Sequence, residues 1–223
     1  MKKFVLLSTA LTALFALSAL SCGSSAKKAE PDVVAGGTSE ETNAFSYNDV
    51  SPVVGRDGQS KTALSFNNPN SYVASLKYGG KFSMAVAFEI SAWFKIDSLP
   101  QKSAMPYNLI GKPSEFSHAL VNGACGMETP AFAFFLTDET SLFACEQAVL
   151  SKNPVKAGLW TFVEAKWDGR YLTLYQDGVA VAKEERILAV LPFSELPVYL
   201  GKSGVPFAID ELSLNTEAHN DYR

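Results

Sequence analysis

Along much of the chain, apolar and polar residues alternate with a period of two. In residues 89–96, Ile90, Ala92, Phe94 and Ile96 fall on one side and Glu89, Ser91, Trp93 and Lys95 on the other. That is the pattern of a strand with one buried face. Residues 131–136 and 141–146 are two further runs around the polar stretch 137–140, which predicts a hairpin. Residues 160–167, 171–176 and 179–183 read as three strands joined by Asp168-Gly169 and Asp177-Gly178. Asp-Gly supplies the positive φ values that tight hairpin turns require. Residues 198–201 and 207–214 complete the set, and no segment past residue 45 carries a sustained helical period bounded by caps. Many short strands spaced by turns predict an all-β fold, a two-sheet antiparallel sandwich over residues 45–215. Residues 216–223 are left as a C-terminal tail.

The start of the chain has a different pattern. Met1-Lys2-Lys3 precedes an uncharged apolar run from Phe4 to Leu20, followed by Ser21-Cys22-Gly23. A basic start, a short apolar core and small residues at its end describe an export signal, here residues 1–21. The stretch Ala19-Leu20-Ser21-Cys22 resembles a bacterial lipobox, which implies that Cys22 is lipid-modified. It departs from the commonest pattern, with Ala19 where Leu is usual and Leu20 where a small residue is usual. The other reading is ordinary signal cleavage with Cys22 incidental. Residues 22–44, rich in Ser, Gly, Ala, Lys and Glu, offer almost nothing to bury and read as a flexible tether.

Composition narrows the function classes. At 223 residues and 47% hydrophobic, the chain has what a folded core needs. A net charge of −4 without any basic cluster argues against nucleic acid, because neutralising phosphates takes grouped Lys and Arg. Two histidines and three cysteines exclude most metal sites built on several such ligands. With Cys22 assigned to lipid, Cys125 and Cys145 remain, and an even pair in an exported chain reads as a disulfide. The rival reading, a catalytic thiol, needs a base, and His118 is the only histidine before the tail's His219.

Several pieces taken in order point further: Ala63-Leu64-Ser65-Phe66 with Tyr72-Val73, residues 88–94, Leu109-Ile110-Gly111-Lys112, and residues 158–163 with Trp167-Asp168-Gly169. Leu174-Tyr175-Gln176-Asp177-Gly178, Leu200-Gly201-Lys202 and Ile209-Asp210-Glu211-Leu212 follow. Together they resemble the laminin-G-like jelly-roll domain of the concanavalin-A-like lectin/glucanase superfamily. The resemblance implies two stacked antiparallel sheets, one of them concave. It leaves activity open, because the fold serves lectins, adhesion modules and hydrolases alike. Laminarinase-like relatives carry Glu-x-Asp-x-x-Glu on a strand, and no strand here has it. Asp210 and Glu211 are adjacent, Asp138 and Glu139 lie in a turn, and Glu184 and Glu185 end a strand in a charged run. The chain is therefore expected not to be an enzyme.

Two groups of residues remain as binding candidates. Alternation puts Asp210 on one face with Ala208, Leu212 and Leu214, where a carboxylate must be compensated. Related jelly rolls implicate a structural calcium near this strand, while an Asp capping loop N–H groups would serve equally. Tyr171 and Tyr175 share a strand face, and Trp93 lies opposite the Ile90/Phe94 face. These rings would form a stacking platform for sugar, or else a second buried face. Residues 114–128, with His118 and Asn122, read as a long loop suited to binding. The expected function is a non-catalytic binding or adhesion module, with carbohydrate as its ligand, anchored by lipid in a bacterial envelope at the outer membrane or cell surface. The alternatives are a glycan-active hydrolase and a structural envelope component that recognises protein.

Overall fold

The alternation of residues 89–96 becomes β5 (Ala85–Ile96), a strand at the middle of a sheet. The computed structural model describes residues 45–113, 115–136, 144–187 and 191–218. Residues 1–44, with Cys22, the export signal and the tether, lie outside these residues, as do 137–143 and His219. Before β5 come β1 (Phe45–Asn48), β2 (Val50–Val53), β3 (Ala63–Phe66), β4 (Tyr72–Ser75) and α1 (Leu76–Phe82). After it come β6 (Tyr107–Lys112), β7 (Phe116–Val121), β8 (Ala131–Leu136) and β9 (Ala148–Pro154). Then follow β10 (Trp160–Trp167), β11 (Tyr171–Gln176), β12 (Val179–Glu185), β13 (Val198–Gly201) and β14 (Phe207–Ala218). They form two seven-stranded antiparallel sheets, ordered β1-β4-β13-β6-β7-β8-β9 and β12-β11-β10-β5-β14-β3-β2. This is the expected jelly-roll sandwich.

Packing follows from the alternation. Ile90, Ala92, Phe94 and Ile96 of β5 enter the core between the sheets with Val163, Ala165 and Trp167 of β10 and Leu172 and Leu174 of β11. Aromatic rings from both sheets meet there. Phe88 lies 5.6 Å from Phe134 and from Trp167, and Phe116 stacks on Phe134 at 5.9 Å, centroid to centroid. The Asp177-Gly178 turn has φ of 50° and 80°, and the Asp177 carboxylate accepts from the Phe162 N–H. Turn chemistry thus fixes the register of β11 against β12 and ties it to β10.

Four local expectations are corrected. A helix exists after all: Ser75 caps α1 by accepting from the Tyr78 N–H at 3.4 Å, while Tyr78 and Phe82, four residues apart, enter the core. Seven residues with two glycines hide that signal. Gly79 is needed there, because a Cβ would stand 2.0 Å from the Leu196 carbonyl oxygen. Residues 116–121 are not loop but β7, buried along its whole length, so no polar position reveals a period. Cys145–Gln147 forms a single 3-10 turn, and the strand pairing with β8 is β9 further on. In β14, Phe207 and Ile209 face the core before Asp210, whereas Leu212 and Leu214 face it afterwards. The register shifts between Asp210 and Ser213, and Glu211 adopts φ 49°. That β-bulge flips the phase, so Asp210 leaves the face of Leu212 and Leu214.

The outer face of the first sheet is half covered. Ala119, Val121, Ala131, Ala133, Phe135 and Ala148 form a second apolar cluster, with Ala124, Cys125 and Met127 laid over it. The Cys125–Cys145 disulfide spans 20 residues, its Cα atoms 5.2 Å apart, and clips this loop down. For a closed loop of that size, Cys125→Ser with Cys145→Ser should cost about 3 kcal/mol. Denaturant unfolding checks this; equal midpoints for the oxidised protein and the double variant would refute it.

Candidate functional site

The second sheet places Trp93 of β5 and Tyr171 and Tyr175 of β11 on its outer face, where Trp160 and Phe162 of β10 join them. Cations and neighbouring rings stand against these rings. The Arg56 guanidinium lies 4.6 Å from the Trp93 ring centroid, and Phe162 packs on Trp93 at 5.3 Å. Lys95 stands 5.5 Å over Trp160, Lys166 5.4 Å over Tyr175 and Lys183 4.2 Å over Tyr171. Each of these rings except Phe162 thus already holds a cation on a face, a favourable electrostatic contact in itself. Between the rings, Lys166 Nζ bridges Glu89 at 3.4 Å and Glu164 at 3.2 Å. Burial raises the Glu164 pKa in spite of that ammonium. This carboxylate pair escapes a search along single strands because it forms across β5 and β10.

The other sequence candidates hold structure together. His118 is fully buried in β7, 5.7 Å from Phe94 and 5.1 Å from Phe134 between ring centroids, inside the sandwich rather than on a binding loop. Asn122 is buried too, and its amide donates to the Pro100 carbonyl at 2.8 Å, fastening the loop after β5. Asp210 Oδ2 accepts from the Arg56 N–H at 3.0 Å and Oδ1 from the Glu211 N–H at 2.9 Å. Burial nevertheless raises its pKa. The Arg56 guanidinium also bonds Glu211, so the bulge of β14 holds the Arg56 loop against Trp93. Both Asp210 oxygens thus face hydrogens, and no group of three or more His, Cys, Asp or Glu suited to a metal occurs among the described residues. Two backbone N–H groups thus compensate the Asp210 carboxylate, the capping role the sequence offered beside calcium. The Tm is expected to be the same with millimolar calcium and with chelator; a rise with calcium would restore the ion.

The open half of the first sheet carries the cavity. Val198 and Leu200 of β13 enter the core, so Tyr199 between them points outward. Its cross-strand partner is Gly111 of β6, which has no side chain to fill the space beside the ring. A Cβ at Gly111 would stand 2.5 Å from Asn108 Oδ1 and would have to push that amide aside. Asn108, Gly111, Lys112, Pro113, Phe116, Tyr199 and Lys202 line a cavity of about 310 Å³. Asn108 is held in place, its Oδ1 accepting from Ser117 Oγ at 2.6 Å and its amide donating to the Gly201 carbonyl. Lys112 and Glu115 are both fully buried, 2.5 Å apart, and Lys112 also donates to the Ser194 carbonyl at 3.1 Å. At the mouth, Lys202 stands 4.5 Å over the Tyr199 ring and 4.7 Å over that of Tyr72, whose rings meet edge-on at 6.3 Å. Sequence reading missed this site because its rings come from β4 and β13, more than a hundred positions apart in the chain. Leu109-Ile110-Gly111-Lys112 and Leu200-Gly201-Lys202, noted only as fold markers, were the available signal.

Residues 66–221 match the family model described as the concanavalin A-like lectin/glucanases superfamily. No curated protein matches the sequence. Among solved structures, the binding domain of Paraclostridial Mosquitocidal Protein 1 is similar with a TM-score of 0.58 and 13% identity, covering 80% of this chain and 45% of that one. A structure concerning the cell entry of botulinum neurotoxin type C matches with a TM-score of 0.55 and 13% identity, covering 79% and 44%. Domain 4 of AbnA, an extracellular arabinanase from Geobacillus stearothermophilus, matches with a TM-score of 0.51 and 15% identity, covering 77% and 83%. The chain thus spans less than half the length of the two toxin chains. At these identities the likeness is one of fold.

Proposed function

Because the chain belongs to the concanavalin A-like lectin/glucanase superfamily, we propose that its domain is a glycan-binding module whose ligand seats in the Tyr199 groove of the first sheet. The observation that carries this reading is the cavity itself. At about 310 Å³ it lies at the small end of ligand sites, near the size of one or two sugar rings, and an aromatic ring, an oriented amide and an ammonium converge on it. The neighbours lend support: the AbnA domain was solved in complex with arabinotriose, and entry of the type C neurotoxin depends on two ganglioside molecules. In the full chain, lipid on Cys22 anchors the domain in a bacterial envelope, and residues 22–44 hold it off the membrane. A glycan array probed with the domain tests the first part. Wild type should bind a defined set of glycans and Tyr199→Ala should lose them at unchanged Tm; binding only to envelope proteins would overturn it in favour of a structural role. Cys22→Ala should shift the protein from the membrane to the soluble fraction, and unchanged partitioning would discard the anchor.

One observation favours a second reading, hydrolysis. Glu89 and Glu164 are paired carboxylates on an aromatic face, the kind of group that glycoside cleavage uses. Lys166 pairs with both, and neither lines the cavity. Release of reducing sugar from any glycan bound on the array, lost in Glu164→Gln, would establish this reading instead.

A further inference from the structure

We infer that the groove selects an acidic sugar, a uronic-acid unit whose carboxylate pairs with Lys202; the inference rests on reading the groove as a glycan site. Lys202 differs from an ordinary surface lysine in three respects. Its backbone is fixed: φ is 55°, its N–H donates to the Ser71 carbonyl at 2.8 Å, and a Cβ on the preceding Gly201 would meet that same oxygen at 2.3 Å. Its ammonium stands over two tyrosine rings. It also has no carboxylate within ion-pair distance among the described residues, whereas Lys112, the other cation at the cavity, is matched by Glu115.

The charge balance of the cavity follows. No Asp or Glu lines it, and the paired Lys112 leaves Lys202 as its single uncompensated charge. One ammonium matches one negative charge. A dianionic phosphate or a run of sulfate esters would call for several unpaired cations or the planar fork of an arginine, and the cavity has neither. Tyr199 serves both the cavity, which it lines, and Lys202, whose ammonium stands over its ring. A pyranose seated beside Tyr199 thus lies next to the ammonium, within reach for a carboxylate on its own ring. A neutral sugar would fill the same space and leave the ammonium without a new partner.

The test is calorimetric titration of the whole chain with galacturonic, glucuronic and mannuronic acid tetrasaccharides, each beside its methyl ester, and with inorganic phosphate. At least one acid should bind about tenfold or more tightly than its ester, as a charge-assisted bond implies, and added salt should erode the difference. Lys202→Gln should bring the acid down to its ester without weakening the ester, and Lys202→Arg should keep the preference. Equal binding of acids and esters, or an undiminished preference in Lys202→Gln, would overturn the inference and leave the glycan site standing. Competition by millimolar phosphate as strong as by the acid would overturn it as well, since the groove would then be a simple anion site. Absence of binding to every acid and ester, with no glycan retained on the array, would bring down the underlying reading too.

Discussion

Replacing Lys112 by Met is expected to destabilise the fold by about 3–5 kcal/mol, the usual cost of removing one member of a buried ion pair. Lys112 and Glu115 are 0% and 1% exposed, so no water takes over when the ammonium is gone. Lys112→Met combined with Glu115→Leu should recover most of the loss, because two apolar groups leave nothing to compensate. Denaturant midpoints of the three proteins decide the matter. A single variant within 1 kcal/mol of wild type would show that the pair contributes little.

The second large effect is acid sensitivity from His118. Burial among Phe94 and Phe134 lowers its pKa to about 3, and neither ring nitrogen has a hydrogen-bond partner among the described residues. Above pH ~6.5 the imidazole is neutral in both the folded and the unfolded chain and adds no pH dependence. Below that value only the unfolded chain takes up the proton. Stability therefore falls with pH by about 1.4 kcal/mol per unit, roughly 2 kcal/mol by pH 5, until the folded value near 3 is reached. His118→Leu should flatten that slope and be at least as stable at pH 7, since it removes a buried polar group left unpaired. Identical slopes for wild type and variant between pH 7 and pH 4 would rule this out.

Strands with one wet face were legible in the sequence. In β5 and β11 the alternation set Ile90, Phe94, Leu172 and Leu174 apart from Trp93, Tyr171 and Tyr175, and the structure puts the first group in the core and the second on the outer face. Where both faces are covered, the signal vanished: β7 lies under the disulfide-clipped loop on one side and against the core on the other, and it passed for a loop. A bulge defeats alternation differently, since one left-handed residue, Glu211, exchanges the faces of everything after it. The groove was illegible for a third reason. It depends on which strands become neighbours, and β13 reaches β4 and β6 only through the topology.

The place of β14 has a kinetic consequence. The last described strand does not close the second sheet at an edge; it lies between β3 and β5, early in the chain. Until it arrives, both neighbours present unpaired backbone, and the half carrying β10 to β12 is not joined to the half carrying β2 and β3. The contacts that join them are among the most distant in sequence, so loop closure must precede their reward. Folding is then slow and late-closing, with two sticky strand edges exposed for as long as the chain waits. The β14 bulge, by taking the Arg56 loop onto Asp210, acts as the latch that ends that exposure.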